Sequence, residues 1–344
     1  MLSRENMRVR LIGHQGEHHM NTGSNGPWYE FAKELKSNGC EIVEDDFGIQ
    51  IDLLIANTHS RKGLREAKKS KLDQNMKHLI LWEPPIIDYK RHKESVLKKY
   101  GIIWSPTIYW AKKQNTRIFK WPQLLLEKQD ESLEKWALRE NKSVMVLANK
   151  FSAAKGELYS LRRELAKKTA INFTMDLYGE KWNLNKIYSY KNYFINLIRT
   201  PIWQISPQSW RHLGLQQKNY KGLSQDKTET CRKYRIVVVL ENSKDYISEK
   251  FFDAFASGAI VIYVGPPLNH FGIPNESAIL VEPNVNSIIK KITEITNLGT
   301  KMQYEISRNQ QKNILSVSSD WYCNVVLKKL ASDIYSASID PMKH

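Results

Sequence analysis

The amino-acid sequence predicts an α/β protein with two parallel-sheet domains. The chain has 344 residues, enough for two domains of about 150 residues each. Short apolar runs alternate with stretches of helical spacing, an order typical of parallel sheets. A polar, charged stretch interrupts this alternation, which then begins again. With 41% hydrophobic and 10% aromatic residues the chain can bury a core, which excludes a mainly disordered protein.

The first third of the chain carries the pattern of one such domain. Apolar residues at positions 28, 31, 32 and 35 have helical spacing, and Gly39 suits the end of that helix. The basic run 65–71 is typical of a solvated helix face. The predicted strands lie at 8–13, 41–43, 52–56, 78–82 and 102–104.

The polar stretch 122–141 is predicted to be a connection or a solvated helix. We therefore expect a first domain over 1–140 and a second over 141–344, whose last helix can pack back on the first domain. The segment 182–221 is rich in aromatic and basic residues and fits no simple pattern. The second domain's predicted elements are strands at 143–148, 172–178, 234–240 and 259–264, and helices at 157–168 and 248–257.

The charge balance favours anionic partners. Lys and Arg total 52 against 36 Asp and Glu, a net charge of +16. Such a surface suits nucleic acid, an anionic membrane or a phosphorylated small molecule, and the alternative is a merely solvated basic surface. The longest apolar run, 259–264, is far short of a membrane span. Three distant cysteines indicate neither a disulfide framework nor a zinc site. We expect a cytoplasmic protein with peripheral contact to the inner face of an anionic membrane, and no nucleic-acid partner.

The segment 234–267 contains the strongest chemical signal. A buried strand leads into a polar turn, and Ser248 stands where a helix N-cap belongs. The start of a helix just beyond a strand favours anions, and Lys250 adds a positive charge there. Glu241 and Glu249 offer acceptors for sugar hydroxyls. The alternative is an ordinary strand–helix–strand unit with a charged cap.

This segment resembles the donor signature of the α1,3/α1,4-fucosyltransferases, glycosyltransferase family 10. The similar residues are Glu241-Asn242, Tyr246-Ile247-Ser248-Glu249-Lys250, Gly258 and Gly265-Pro266, with Leu240 and Ser248 where the family commonly has Phe and Thr. Upstream similarities are Asn149-Lys150, Leu161-Arg162, Met175-Asp-Leu-Tyr-Gly179, Tyr220-Lys-Gly222 and Lys227. The resemblance is firm over about 144–285 and loose over the first 140 residues.

The resemblance implies a GT-B fold with two Rossmann-like domains facing a central cleft. The C-terminal domain would bind GDP-fucose and the N-terminal domain a glycan acceptor, such as GlcNAc O3 of an N-acetyllactosamine-type chain or a lipopolysaccharide O-antigen. Transfer would invert the anomeric centre, with no tightly bound cofactor and no metal. The donor-binding residues that it implies are Arg162, Tyr178, Lys227, Glu241, Asn242, Tyr246, Glu249 and Lys250.

Two catalytic residues follow from the resemblance, Glu83 and Glu249. Direct displacement needs a base that takes the acceptor's proton. Glu83 fits the family's proposed base because it follows the predicted strand and precedes Pro84-Pro85. The departing diphosphate needs positive charge, which Arg162 and Lys250 can supply. The sequence has no Asp-x-Asp metal motif, and Asp45-Asp46 is typical of a solvated turn.

Other interpretations remain open at the level of sequence. The donor can be a different nucleotide sugar, or the chain can be a non-catalytic basic protein that binds polyanions. The histidines His14, His18 and His19 can contact an acceptor, bind a metal or form a neutral loop. The aromatic and cationic cluster around Trp203, Trp210, Arg211 and His212 can stack on sugars, rest on a membrane or simply pack as core.

Overall fold

A computed structural model of the chain describes most of its length. The described residues are 7–13, 27–43, 48–107, 115–120, 122–123, 126–127, 130–172, 174–183, 186–200, 205–213 and 217–339. The histidines at 14, 18 and 19, the pair Asp45-Asp46 and Trp203 lie outside them. The chain divides into two units, Met1–Leu125 with Ser319–His344, and Leu126–Ser318.

The first unit is built on a parallel six-stranded sheet with the order β2-β1-β3-β4-β5-β6. Its strands are β1 Met7–Ile12, β2 Cys40–Val43, β3 Leu53–Ala56, β4 Lys77–Ile80, β5 Ile102–Ser105 and β6 Thr116–Ile118. Its helices are α1 Pro27–Ser37, α2 Arg61–Lys69, α3 Glu94–Leu97 and α12 Cys323–Ile339. The five predicted strands are confirmed, with ends that differ by up to two residues.

Helical periodicity explains how α1 packs. Phe31, Ala32 and Leu35 fall on one face of the helix and are buried in the core of the first unit. The C-terminal helix α12 packs on α1 and adds Leu327 and Leu330 to the same core. The last helix therefore belongs with the first unit.

The second unit also contains a parallel six-stranded sheet, with the order β12-β11-β10-β7-β8-β9. Its strands are β7 Glu140–Val146, β8 Met175–Tyr178, β9 Tyr220–Gly222, β10 Tyr234–Leu240, β11 Ile260–Val264 and β12 Ile279–Leu280. Its helices are α4 Leu133–Ala137, α5 Tyr159–Asn172, α6 Lys186–Arg199, α7 Lys227–Arg232, α8 Glu249–Ala256, α9 Val285–Thr296 and α10 Thr300–Gln310. Helix α11, Ile314–Trp321, spans the boundary between the units.

The boundary at Leu125 precedes the predicted one at 140 because the polar stretch packs on the second unit. Trp136 is buried there, and its Nε1 donates to the carbonyl of Gly258 at 3.1 Å. Arg139 donates to the carbonyl of Ser257 at 3.0 Å. This stretch is therefore neither a free connection nor a fully solvated helix.

In each sheet, the order in which successive strands are added reverses at one strand. In the first, β2 and β3 lie on opposite sides of β1, and in the second, β8 and β10 lie on opposite sides of β7. Ligands of open parallel sheets bind at such switch points, outside the carboxyl ends of the strands. Within the described ranges no helix is both long and apolar enough to cross a bilayer.

Candidate functional site

The switch point of the second sheet is held together by Arg162 of α5. Its guanidinium donates to the carbonyls of Ala148 at 2.8 Å and Leu240 at 2.9 Å, just beyond β7 and at the end of β10. The side chain is only 1% exposed and lies 5.0 Å from the Tyr159 ring centroid. Burial lowers the pKa of the guanidinium. Its Nε has no hydrogen-bond partner in the described part of the chain, so one buried donor remains for a ligand.

Glu241 follows β10 directly and sets the start of α8. Its Oε1 accepts the backbone N–H of Ser248 at 3.0 Å, and its Oε2 accepts the Ser248 hydroxyl at 2.6 Å. Burial raises the pKa of this carboxyl, against the opposing effects of the Lys250 ammonium and the Ser248 hydrogen bonds. Ser248 is the N-cap of α8, as predicted.

Three charged side chains meet at the first turn of α8. Lys250 Nζ donates to Ser248 Oγ at 2.9 Å and lies 3.4 Å from Glu249 Oε1. Lys227, at the start of α7, lies 3.5 Å from the same carboxylate oxygen. Burial raises the pKa of Glu249, but the ammonium groups of Lys250 and Lys227 outweigh it and lower the pKa to about 2. Glu249 is therefore charged at neutral pH beside two cations.

The loops after β7 and β10 are tied to each other. The Leu158 N–H donates to the Asn242 carbonyl at 3.1 Å, and Glu157 and Ser243 form an antiparallel bridge. Asn242 is buried, and its Oδ1 has no partner among the described residues. Tyr246 of the same loop is also buried. Unsatisfied buried polar atoms are rare in native proteins, so Asn242 Oδ1 is a candidate contact for a ligand.

A polar groove of about 450 Å³ opens beside these loops. It lies where α5 and α9 begin and has a volume that suits a small-molecule ligand, but none of the eight predicted donor-site residues is among its lining residues. The side chains that line it include Glu157, Glu164, Lys168, Arg211, Lys244 and Asn284.

The structure brings together seven of the eight predicted donor-site residues around α8 and the switch point, and Tyr178 is the exception. Its hydroxyl lies 3.3 Å from that of Tyr234, which donates to Asp176 Oδ2 at 3.0 Å. Asp176 also pairs with Lys142. Tyr178 thus belongs to a separate, partly buried network, because its side chain turns toward Tyr234 at the start of β10.

Glu83 lies in the first unit, three residues beyond the end of β4 and half-buried. Its backbone carbonyl accepts His92 Nε2 at 2.8 Å, which holds the turn in place. Asn57, directly after β3, is buried, and its Oδ1 has no partner among the residues described. Asn57 was not predicted from the sequence, although the first polar residue after a strand at a switch point is a usable signal.

Two further residues near the site escaped prediction. Arg163, beside Arg162, donates to the carbonyls of Lys150 and Arg211 at 3.1 and 3.0 Å and so attaches the segment 205–213 to α5. Burial lowers the pKa of its guanidinium to about 10. Tyr263 of β11 is fully buried near Glu241, and burial raises the pKa of its hydroxyl.

Within the described ranges, no three His, Cys, Asp or Glu side chains are grouped so that they could hold a metal ion. The cations Lys250, Lys227 and Arg162 are the positive groups at this site.

Comparison with known proteins supports the fold. No family model matches the sequence, and no curated protein matches it. The solved structure of Anabaena HepE in complex with UDP superposes with a TM-score of 0.55 at 10% identity, covering 96% of this chain and 100% of HepE. An α1,3-fucosyltransferase with GDP gives 0.52 at 13% identity, covering 98% and 92%. Sucrose-phosphate synthase of Thermosynechococcus elongatus gives 0.54 at 11% identity, covering 97% and 100%. The predicted GT-B class with two Rossmann-like domains is confirmed.

Proposed function

We propose that this chain is an inverting glycosyltransferase that transfers L-fucose from GDP-fucose to a hydroxyl of a glycan. The observation that carries the proposal is the position of Lys250. Ser248 and Glu241 fix its ammonium at the start of α8, beside the switch point of the sheet. A helix start with an added positive charge suits a diphosphate, the part common to nucleotide-sugar donors.

The donor's leaving group is stabilised by this chain's cations. When the bond between the sugar's anomeric carbon and the phosphate oxygen breaks, GDP gains negative charge. Lys250 provides a point charge, and the unpaired Nε of Arg162 provides a further donor. Glu249 is charged beside Lys250 and Lys227. Its carboxylate accepts hydrogen bonds from hydroxyls of the donor and stabilises the positive charge that develops on the sugar ring.

The acceptor hydroxyl attacks the anomeric carbon from the opposite face. Glu83 takes the proton of that hydroxyl while the new glycosidic bond forms, and GDP departs. We propose GlcNAc O3 of an N-acetyllactosamine-type or O-antigen chain as the acceptor position. We propose that the enzyme acts in the cytoplasm. There the buried cysteines Cys40, Cys231 and Cys323, which are free thiols, stay reduced.

A different nucleotide-sugar donor is the second candidate. HepE, of similar fold, has been solved with UDP, and nothing in Lys250 or Arg162 distinguishes one diphosphate from another. Recognition of the nucleobase, guanine or uracil, would therefore determine which nucleotide sugar is the donor.

The test is calorimetric titration with GDP, UDP and CMP, followed by fucosyl transfer from GDP-fucose to N-acetyllactosamine with linkage analysis of the product. We expect GDP to bind most tightly. Tighter binding of UDP would select the second candidate, and no binding of any nucleotide would support a polyanion-binding protein instead.

A matched pair of variants locates the donor site. Lys250→Met should weaken GDP binding by about ten- to hundred-fold, because one charge-assisted contact is lost. Lys290→Met removes the same charge from a side chain of α9 that is largely exposed, and it should bind GDP normally. Equal GDP affinity in both variants would remove Lys250 from the proposed site.

A further inference from the structure

Helix α6, Lys186–Arg199, presents an apolar face to solvent. Tyr190, Phe194 and Ile198 follow one another at intervals of four and form a stripe along the helix. Phe194 is 56% and Ile198 84% exposed, and Ile195 beside them is also exposed. Soluble proteins rarely expose contiguous apolar side chains without a partner.

The opposite face of α6 holds the helix on the second unit. Ser189 is fully buried, and Tyr193 packs with Ala153 and Leu213 in a small core cluster. The Tyr193 hydroxyl also lies 3.1 Å from Ser209 Oγ. Because this inner face is anchored, the exposed stripe is a fixed feature of the surface.

The chain around the stripe is strictly cationic. Between Lys181 and Gln225 the sequence has no Asp or Glu. The cations of this stretch are Lys181, Lys186, Lys191, Arg199, Arg211, Lys218 and Lys221. Lys191 is exposed on the same side of the helix as the stripe, and Trp210 is exposed in the segment that Tyr193 contacts.

These features select one occupant among three. A second copy of the chain would bring another net charge of +16, which opposes association. A stable protein interface needs about 800 Å² per partner, whereas the stripe together with Ile195 is only four side chains on about 12 Å of helix. An anionic lipid surface suits both features, because apolar and aromatic side chains enter the headgroup region while lysines meet the headgroups.

We propose that the outer face of α6 binds the surface of an anionic lipid bilayer. Phe194, Ile195 and Ile198 enter the boundary between headgroups and acyl chains, and Tyr190 lies at headgroup level. The proposal does not depend on the donor or the reaction.

The experiment is flotation of the full chain with vesicles of phosphatidylcholine containing 30% phosphatidylglycerol (about 1 mM lipid), or of phosphatidylcholine alone, at physiological and high salt. The double variant Phe194→Ser/Ile198→Ser removes the two most exposed side chains of the stripe without changing charge. The double variant Leu138→Ser/Ile171→Ser is the control, because these residues of the second unit are 86% and 73% exposed. Circular dichroism melting verifies that both variants fold.

We expect the unchanged protein and the control to float with anionic vesicles and much less with neutral ones. At physiological salt, the vesicle-bound fraction of the stripe variant should be at least five-fold smaller than that of the unchanged protein. Equal flotation of both double variants would overturn the proposal, since net charge alone would then explain binding. The proposal would also be overturned if the unchanged protein did not float. If its molar mass in light scattering were then higher than that of the stripe variant, a second copy of the chain would be the occupant.

Discussion

The carboxylate of Glu241 makes its hydrogen bonds to the N-cap residue of α8. Both of its oxygens are occupied by Ser248, whose hydroxyl oxygen in turn accepts the Lys250 ammonium. The carboxylate that the sequence suggests as an acceptor for sugar hydroxyls therefore positions the cap of α8. Glu249 and Lys250 then present their charged groups at a defined place, because the residue before them is held from two sides.

Glu83→Gln is predicted to keep donor binding and to lose transfer. The amide is nearly isosteric but cannot accept the acceptor's proton, and the loss of a general base costs about 10²–10⁴ in rate. The His92 contact uses the backbone carbonyl and should persist. Calorimetry with GDP and fucosyl transfer are measured on one preparation.

The matched control for Glu83 is Glu94→Gln, an exposed carboxylate of the same unit. It should show normal binding and normal transfer. Near-normal transfer by Glu83→Gln would reject Glu83 as the base, and a joint loss of binding and transfer would indicate a structural role.

Glu249→Gln should show a pH-dependent difference in stability from the unchanged protein. The native pKa of Glu249 is about 2, below its ordinary value of 4.5. The charged carboxylate therefore stabilises the fold above about pH 4.5, and this contribution is lost as the pH falls toward 2. Its side chain is 45% exposed, so solvent screening keeps the effect below about 1 kcal/mol. Urea unfolding at pH 7, 5 and 3 measures it, and a difference that grows toward pH 3 would contradict the assignment.

At the scale of elements, some features of the unit β10–α8–β11 follow from residues that are close in sequence, and others follow from tight packing between residues that are distant in sequence. The buried apolar strands, the Ser248 cap and the end of the helix at Gly258, which has a φ of 69°, agree with prediction. Gly265, directly after β11, serves a different purpose. A Cβ there would lie 2.5 Å from the Tyr263 hydroxyl and 2.9 Å from Glu241 Cγ.

Gly265→Ala is predicted to damage the proposed donor site through packing. The added methyl must displace Tyr263 or Glu241, and such overpacking costs about 1–3 kcal/mol. A shift of Glu241 would also loosen the Ser248 cap and weaken GDP binding. Chemical unfolding and GDP titration test both effects.

Gly299→Ala is the control for this variant, because a Cβ at that position has no neighbour within 4 Å. It should leave GDP affinity unchanged and cost no more than the loss of a favoured N-cap residue, because Gly299 caps α10. If Gly265→Ala behaves like Gly299→Ala, the close approach of Gly265 to Glu241 has no bearing on the site.

At the scale of the whole molecule, each unit holds its own buried charges. In the first unit, Arg10 of β1 makes a bidentate pair with Glu66 of α2, with Nε–Oε2 and Nη2–Oε1 distances of 2.9 and 2.6 Å. Arg10 also donates to the Val43 carbonyl at 2.8 Å. In the second unit, Arg162 and Arg163 are also buried, and they donate to backbone carbonyls.

Arg10→Leu is predicted to destabilise the first unit and to spare the donor site. Glu66 would remain buried without its partner, a change that typically costs about 3–5 kcal/mol. The variant Arg10→Leu/Glu66→Leu should recover most of the loss. Hydrogen exchange is measured for peptides of both units, together with GDP titration. Equal deprotection of both units, or a loss of GDP binding, would contradict independent stabilisation of the two cores.

Fucosyl transfer is predicted to survive exhaustive chelation. In the proposed reaction, Lys250, Lys227 and Arg162 would supply the positive charge that the departing diphosphate requires. Activity is measured after EDTA treatment and again after a divalent ion is restored. Activity that depends on the restored ion would show that these cations do not suffice.

The sequence by itself determined the features that depend on near neighbours. The β10–α8–β11 unit was predicted because an apolar strand, a capping hydroxyl and a terminating glycine act over a few residues each. The alternation of strands and helices likewise determined two parallel sheets, because the spacing of apolar residues directs each element's buried face.

Only the tertiary structure decided which polar groups are shared across the fold. Arg162 bonds to a carbonyl 78 residues away, and Arg10 to a carboxylate 56 residues away. Glu66 stands in a basic run that suggests a solvated helix face, yet it is buried because its helix packs against β3 and its carboxylate pairs with Arg10 of β1. The exposure of the α6 stripe and the placement of Tyr178 are likewise decided by what packs beside them. Burial is a property of the assembled neighbours, so no local pattern contains it.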